Sequence, residues 1–469
     1  MHNINTKKAL RLTGHISFLL LILLSIIYYK ERVVFIDTVF QFFKIVNFGK
    51  FNIEADRYSA ILTQVPLLMG LKAHLSLRSL LFIYSITFTV FYYLIFILCV
   101  HVLNNIPAGM TIVFIFLLCI TRSFYHISTE IHQGLVYTLL LFAVIYHPFK
   151  DNSPWIKYIL IFTSIILSFF SHPVTFFIIL FIFGYYLVDT LNWKNVEIYL
   201  GAVILILLVL VKLLFTKSNS YESSFFSQLF NYKSFSLNPL TYISLKFLVT
   251  RSVRLYLWLF MLLTIDIVFL IKQKQVLKLR YILASFAVFL AVILITYGKG
   301  DSDVMMERAF MPLSILVALP FIKDVVLKSR DSRTSVALIS LTMAVLLAGF
   351  LRLNKEGQHF RSKLGYVEQL LNRADQLQGN KFLLKNTVDV NKSILVPWSF
   401  PFTTIIVSSM EGKNKTKTIF LYNDISKYRE YLTDKTDVFL GAPFWLEWKT
   451  EDLNHRYFNL PDGPYLILR

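Results

Sequence analysis

A short group of charged residues interrupts the apolar sequence soon after its first long hydrophobic run. Glu54, Asp56 and Arg57 lie within four residues, in the stretch FNIEADRYSAILTQVPLLMG (51–70). Two carboxylates separated by one residue can face one cation or one acceptor hydroxyl, and the adjacent guanidinium can bind a phosphate through paired hydrogen bonds. The same spacing fits a capped interfacial helix that begins after Asp56, so a catalytic and a structural interpretation both stay open.

Asp37 is a second candidate for acid–base chemistry. It opens the run DTVFQFFKIVNF (37–48), whose apolar and polar residues are spaced as in a helix that lies flat on a membrane surface. A carboxylate beside apolar sequence is costly unless it is paired or hydrated. Asp37 could accept a proton from an attacking hydroxyl, or it could be the N-cap of the helix, and the two roles are compatible.

The stretch FYHISTEIHQG (124–134) adds two histidines and a carboxylate. His126 and Glu130 are four residues apart, which would place them on one face of a helix and indicates the wall of a polar pocket. His126 and His132 are six apart, a poor spacing for two zinc ligands on one helix, so a metal site is disfavoured.

Two further polar groups lie where apolar runs meet. His172 precedes a proline in SFFSHPVTFF (168–177), and its ring could serve the turn or the pocket. Glu307 and Arg308 lead from a glycine-containing loop into the next apolar run. Arg308 could bind a phosphate, or it could pair with Glu307 or a lipid headgroup.

Composition indicates that membrane-spanning helices position these side chains. The chain of 469 residues is 56% hydrophobic, with a mean hydropathy of +0.60. Its apolar runs approach the roughly 17–25 residues that a helix needs to cross the hydrocarbon core. The sequence predicts an all-α polytopic protein of about 11 spans, at 13–29, 79–103, 106–121, 134–149, 155–171, 174–190, 197–215, 253–271, 281–297, 309–327 and 334–351.

The distribution of Lys and Arg predicts the orientation. The short loops 272–280 and 322–333 hold four Lys or Arg each, and such loops stay in the cytoplasm. The N-terminus has a basic start and no small-residue cleavage site, which predicts an uncleaved first helix that starts in the cytoplasm. The loop 30–78 is then on the outer face. The formal charge of +19 is dispersed, which favours contact with anionic lipid over nucleic acid.

The C-terminal part has a different composition and predicts a second domain. Residues 1–351 form the membrane domain, whereas 352–469 have ordinary polarity and predict a small α/β domain outside the membrane. An amphipathic helix is predicted at 360–377, and strands at 417–422 and 464–469. The abundance of Ile, Lys, Asn and Phe fits an AT-rich bacterial genome, hence an inner membrane with this domain in the periplasm or outside the cell.

The whole pattern resembles the GT-C class of membrane glycosyltransferases. The likeness rests on the first helix with a cytoplasmic start, Asp37 and the E-x-D-like EAD (54–56) in a long outer loop, the His-Pro turn, ERAFMPL (307–313) leading into a late helix, and the outer C-terminal domain. It covers the architecture of residues 10–350. The chain departs from better-known members in that Asp37 has no adjacent acidic residue.

The resemblance implies transfer of a sugar from a polyprenyl-phosphate donor to a glycan, lipid or protein acceptor at the outer leaflet, with inversion. A divalent cation, Mg²⁺ or Mn²⁺, could assist. The residues so implied are Asp37, Glu54 and Asp56 as catalytic carboxylates, and Arg57, Arg308, Glu307, His172 and Glu130 as substrate- and phosphate-binding residues. Exchanging Asp37 or Asp56 for Asn is then expected to abolish transfer.

Other functions share parts of this pattern. A lipid-linked glycan polymerase or ligase would have the same membrane groove and outer arginines, and a non-catalytic transporter or assembly scaffold would have the same spans. No phosphate-binding Gly-rich loop, nucleophile elbow or H-E-x-x-H motif occurs, which argues against ATP-driven, serine-hydrolase and zincin chemistry. Convergence of the outer carboxylates on one cavity would distinguish an enzyme from a scaffold.

Overall fold

The computed structural model describes residues 2–149, 154–215, 241–251, 253–300, 302–329 and 331–468. The described chain is mainly helical, with small sheets near its C-terminus. The helices are α1 (His2–Ile27), α2 (Ile36–Phe48), α3 (Ile61–Lys72), α4 (Leu77–Ile97), α5 (Ile106–Leu117), α6 (Glu130–Tyr146), α7 (Pro154–Phe169), α8 (Thr175–Thr190), α9 (Val196–Phe215), α10 (Ile243–Arg251), α11 (Leu257–Lys272), α12 (Val276–Thr296), α13 (Asp303–Phe310), α14 (Leu313–Pro320), α15 (Ser332–Asp375), α16 (Val388–Ser393) and α17 (Phe400–Ser409).

Five helices of the described chain are long and apolar enough to cross a membrane, as the predicted helical membrane protein requires. Among the described residues they are Asn5–Ile27, Leu77–Val102, Val276–Thr296, Asp303–Val326 and Ser332–Asp375. Shorter apolar helices accompany them at Ile106–Leu117, Glu130–Tyr146, Trp155–Phe169 and Thr175–Thr190. A helix lies over each of the predicted spans, but the full number of crossings stays a prediction, as does their orientation.

Local sequence explains where several of these helices begin. The Asn105 side chain accepts a hydrogen bond from the N–H of Ala108 at 3.0 Å, and Pro107 occupies the first turn of α5. Ser76 caps α4 by accepting from Ser79 N–H at 3.2 Å. Such caps satisfy N–H groups that have no partner within the helix, and they end the connecting loops at defined points.

The C-terminal part forms a small α/β unit that is continuous with the membrane helices. The strands are β1 (Lys381–Lys385), β2 (Thr418–Tyr422), β3 (Val438–Ala442), β4 (Trp445–Lys449) and β5 (Leu466–Leu468). Strands β2, β1 and β5 form a parallel sheet in that order, and β3 pairs with β4 as an antiparallel hairpin. Helix α15 runs without a break through the predicted boundary at 351, so one continuous helix connects the two parts.

The amphipathic helix α2 packs between the bundle and this unit. Phe43 lies 5.0 Å from the Phe402 ring of α17 and 5.5 Å from the Trp448 ring of β4, centroid to centroid. At the end of α2, Asn47 donates to Asp452 O at 3.0 Å and accepts from Asn454 N–H at 2.8 Å. These contacts fix the position of α2 relative to the C-terminal unit. The first turn of α2 carries Asp37.

Candidate active site

A cavity of about 1010 Å³, called the main cavity below, lies where α2, the ends of several bundle helices and the C-terminal unit meet. A volume this large fits a substrate bigger than one small metabolite, since ligand pockets span roughly 300–1,000 Å³. The polar and charged residues that line it are Asp37, Gln41, Glu54, Arg57, Arg122, His126, Ser128, Thr129, Glu130, His172, Tyr297, Ser302, Asp303 and Arg308.

Asp37 lies in the first turn of α2 and faces the main cavity. Helix α2 has Phe35 in its N-cap position without a side-chain cap, so Asp37 is not the N-cap. The preceding residue, Ile36, has a φ of +56°, which is strained for a β-branched side chain. Thr38 and Ser128 hydroxyls, 3.1 Å apart, tie this turn to the loop before α6.

The Asp37 carboxylate lies close to the positive charge of Arg308. Its Oδ2 lies 3.6 Å from Arg308 Nη1 and 4.0 Å from His126 Nδ1, which are the distances of a loose ion pair rather than of a short hydrogen bond. The side chain is 44% exposed, but to the cavity. Burial of the surrounding site raises the pKa of Asp37, and this effect outweighs the opposing attraction of Arg308.

Arg308 and His126 form the wall beside Asp37. Arg308 donates from Nη2 to His126 Nδ1, so the imidazole acts as an acceptor at this nitrogen. Burial, and then the charge of Arg308, hold the pKa of His126 well below its usual value, which keeps the ring neutral. His126 Nε2 is buried and has no partner among the described residues.

The other cavity carboxylates are already paired. Glu54 accepts from Lys44 at 2.9 Å and from Asn52 at 3.1 Å. Glu130, in the first turn of α6, accepts from Arg57 Nη1 at 2.8 Å, and both side chains are largely buried. The positive end of the α6 dipole also favours a carboxylate there. Asp37 is therefore the carboxylate best able to accept a new proton.

His172 lies in the turn between α7 and α8 and lines the same cavity. Its Nδ1 accepts from Val174 N–H at 3.2 Å, which leaves the proton on Nε2. Burial first, and the nearby charge of Arg57 second, hold the pKa of His172 well below its ordinary value. A second neutral imidazole thus lines the main cavity.

Two of the predicted site residues do not line the main cavity. Asp56 is exposed on a tight turn in which Ala55 and Asp56 have φ values of +50° and +57°, and Arg57 N–H donates back to Glu54 O. Glu307 points the other way and is buried. It accepts from the N–H groups of Thr121 at 3.0 Å and Ser123 at 3.1 Å. Glu307 therefore anchors α13, and with it Arg308.

Sequence reasoning missed several members of the wall. Arg122 donates to Asp303 at 2.8 Å across the cavity floor. Arg122 directly follows the predicted span 106–121. This position at the end of an apolar run is the signal by which the sequence could have identified it. Trp398 and Phe444 come from the C-terminal unit, with ring centroids 5.4 Å apart. No local pattern distinguishes these aromatics from core residues, because only docking of that unit places them at the cavity.

The arrangement suits proton abstraction from a hydroxyl beside an anionic leaving group. A carboxylate with a raised pKa, a guanidinium and two neutral imidazoles line one space bounded by apolar and aromatic residues. No group of three or more His, Cys, Asp and Glu suited to hold a metal ion occurs within the described residues. The divalent cation that the resemblance implies stays a prediction.

Comparisons with protein-family models, with curated proteins and with solved structures give no match.

Proposed function

We propose that the protein is a membrane glycosyltransferase that moves a sugar from a polyprenyl-phosphate donor to an acceptor hydroxyl at the outer leaflet. Asp37 carries the proposal. Its carboxylate faces a cavity of about 1010 Å³ and forms only a loose ion pair, at 3.6 Å, with Arg308. Glu54 and Glu130 are held in closer ion pairs, at 2.9 and 2.8 Å, so Asp37 is the carboxylate best able to accept a proton.

The proposed reaction is one inverting displacement at the anomeric carbon. The acceptor oxygen attacks this carbon while its proton passes to Asp37, and the bond between the carbon and the phosphate oxygen breaks. The phosphate leaves with the electron pair. Arg308, 3.6 Å from Asp37, would orient the carboxylate toward the acceptor hydroxyl. No covalent enzyme intermediate is needed.

Convergence of acidic residues on one cavity supports an enzyme over a scaffold. Asp37, Glu54 and Glu130 come from three separate segments of the chain, yet they line the same space. A scaffold has no need to collect costly charges near the ends of apolar helices. The proposal also places the main cavity on the outer side of the membrane. This orientation rests on the distribution of Lys and Arg among the loops.

The size of the cavity favours a second candidate from a related class. At about 1010 Å³ it reaches the upper end of the range of roughly 300–1,000 Å³ for ligand pockets, which suits an oligosaccharide donor as well as a single sugar. A lipid-linked glycan polymerase or ligase would use the same base and the same leaving phosphate.

Transfer in a reconstituted system tests the proposal. The full chain in lipid nanodiscs is mixed with short-chain prenyl-phosphate hexoses or with a lipid-diphosphate oligosaccharide, and release of the prenyl phosphate or diphosphate is measured. We expect release that depends on the chain and is lost in Asp37→Asn. Absence of release from both donor types, or equal release by Asp37→Asn, would overturn the proposal. The donor that reacts distinguishes the two candidates.

A further inference from the structure

The main cavity is a poor place for a phosphate. Its lining holds four carboxylates, Asp37, Glu54, Glu130 and Asp303, against the guanidinium groups of Arg57, Arg122 and Arg308, a formal net charge of −1 among the described residues. Arg57 is already bound by Glu130 at 2.8 Å, and Arg308 is engaged by His126 and faces Asp37. A phosphate placed there would lie close to the Asp37 carboxylate, while the guanidinium groups of Arg57 and Arg308 already have other partners.

A second pocket of about 450 Å³ shares a wall with the main cavity. We call it the basic pocket. Arg122 and Asp303, which pair at 2.8 Å, line both spaces. The other residues that line the basic pocket are Thr121, Phe247, Arg251, Arg254, Leu255, Glu307, Leu351, Arg352, Lys355, Glu356 and His359.

The charge balance of the basic pocket has the opposite sign. Five cations, Arg122, Arg251, Arg254, Arg352 and Lys355, meet the three acids Asp303, Glu307 and Glu356, so the formal net charge is +2 with His359 neutral. A pocket with this excess attracts an anion, whereas its neighbour attracts neutral or cationic groups.

Three of these cations lack an acidic partner within the described parts of the chain. Arg254 and Lys355 are exposed and make no ion pair there. Arg352 donates to the carbonyls of Leu117 at 3.0 Å, Leu118 at 2.8 Å and Leu255 at 3.2 Å, which fixes the guanidinium without neutralising its charge. Its Nε is buried and unpartnered. Fixed, uncompensated donors of this kind are suited to phosphate oxygens.

The apolar side of the basic pocket points to a lipid. Leu351 lies one turn below Lys355 on α15, in a helix with the composition of a membrane span, and it is 58% exposed. Phe247 and Leu255 complete this side. If a phosphate on a hydrocarbon chain bound here, the chain could lie along Leu351 and the phosphate among the arginines. Other basic pockets at membrane surfaces bind lipid headgroups in this way.

We infer that the basic pocket binds the phosphate of the lipid donor while the main cavity holds the sugar and the acceptor, an assignment that rests on the proposed function. The shared Arg122–Asp303 wall then marks where the bond between phosphate and sugar lies. Arg57 and Arg308 act on the sugar side. The ligand class is a prenyl phosphate, which is a phosphodiester to the sugar before transfer and a monoester after it, and a phospholipid headgroup offers related phosphate chemistry.

Binding of farnesyl phosphate to the full chain in neutral-lipid nanodiscs tests the inference without any transfer reaction. We expect saturable binding that falls at least tenfold in the double variant Arg254→Gln/Lys355→Gln. Lys246→Gln is the matched control, since Lys246 is an exposed cation on α10, the helix that carries Arg251, and lies outside the basic pocket. Unchanged affinity in the double variant, or equal loss in the control, would overturn the inference.

Two further arms identify the source of the phosphate. Inorganic phosphate binding as tightly as farnesyl phosphate would show that the hydrocarbon chain contributes nothing, and dioleoyl phosphatidylglycerol competing equally would show a general headgroup site. Either result counts against a donor site.

Asp37→Asn separates the two proposals. It should keep farnesyl phosphate binding while it loses transfer. Loss of transfer in Asp37→Asn together with full binding by the double variant would leave the proposed function standing and reject the basic pocket as its phosphate site.

Discussion

Exchange of Asp37 for Asn is the most direct test of the candidate site. The amide has nearly the shape of the carboxylate, so packing against the α2 turn is kept while the charge and the proton acceptor are lost. A positioned general base contributes roughly 10²–10⁴-fold to a rate. We expect transfer by Asp37→Asn to fall by about that factor.

The structure predicts that stability changes little in the same variant. The nearest cationic atom, Arg308 Nη1, is 3.6 Å away, and the carboxylate is 44% exposed to the cavity. Partly exposed ion pairs contribute about 0–1 kcal/mol. A large loss of turnover with a nearly unchanged melting temperature in detergent is therefore the expected signature. It would distinguish a lost base from a damaged fold.

Asp56→Asn is the matched control, because it makes the same exchange on an exposed turn that does not line the main cavity. We expect it to turn over near the wild-type rate, in contrast to the expectation from the E-x-D spacing alone. The assay is prenyl phosphate release from the reconstituted full chain. Near-normal release by Asp37→Asn, or equal losses in both variants, would refute the reasoning.

Three further outcomes follow from the contacts described. Because burial raises the pKa of Asp37 and the base must be deprotonated, kcat/KM should fall with decreasing pH through a value above the usual carboxyl pKa of about 3.9, as read from a pH–rate profile. Burial lowers the pKa of His126, so the unfolded chain binds more protons below about pH 6.5 and stability should drop there by ~1.4 kcal/mol per pH unit. Melting curves at pH 7.5 and 5.5 check this, and His126→Asn should reduce the dependence. Glu307→Gln should lower the melting temperature and the transfer rate together, since Glu307 anchors the helix of Arg308 to Thr121.

The sequence by itself determined the class of protein and the neighbourhood of the site. Long apolar runs can only be buried as helices in a lipid core, because every backbone N–H and C=O must then be paired within its own segment. Short-range periodicity likewise predicted the helix at 360–377 and the strand at 417–422, and the structure has α15 and β2 there. Charges beside apolar runs marked Asp37 and Arg308 because such charges are costly without a partner.

Only the tertiary structure decided which of the marked residues face one another. Glu54 and Asp56 are two residues apart, but a turn with positive φ at Ala55 and Asp56 sends one toward the main cavity and the other to solvent. Glu307 and Arg308 are adjacent, yet they lie on different sides of α13. Glu307 accepts from backbone N–H groups, whereas Arg308 lies beside Asp37. Spacing along a chain cannot supply these directions, since they depend on backbone angles and helix packing.

The C-terminal unit shows the same limit over a longer range. Its composition predicted a separate α/β domain, but Trp398 and Phe444 reach the main cavity through packing of α17 and the β3–β4 hairpin on α2. The basic pocket joins residues more than 200 positions apart, Arg122 with Lys355. Contacts at such separation form only when the helices pack, because nothing local in either segment refers to the other.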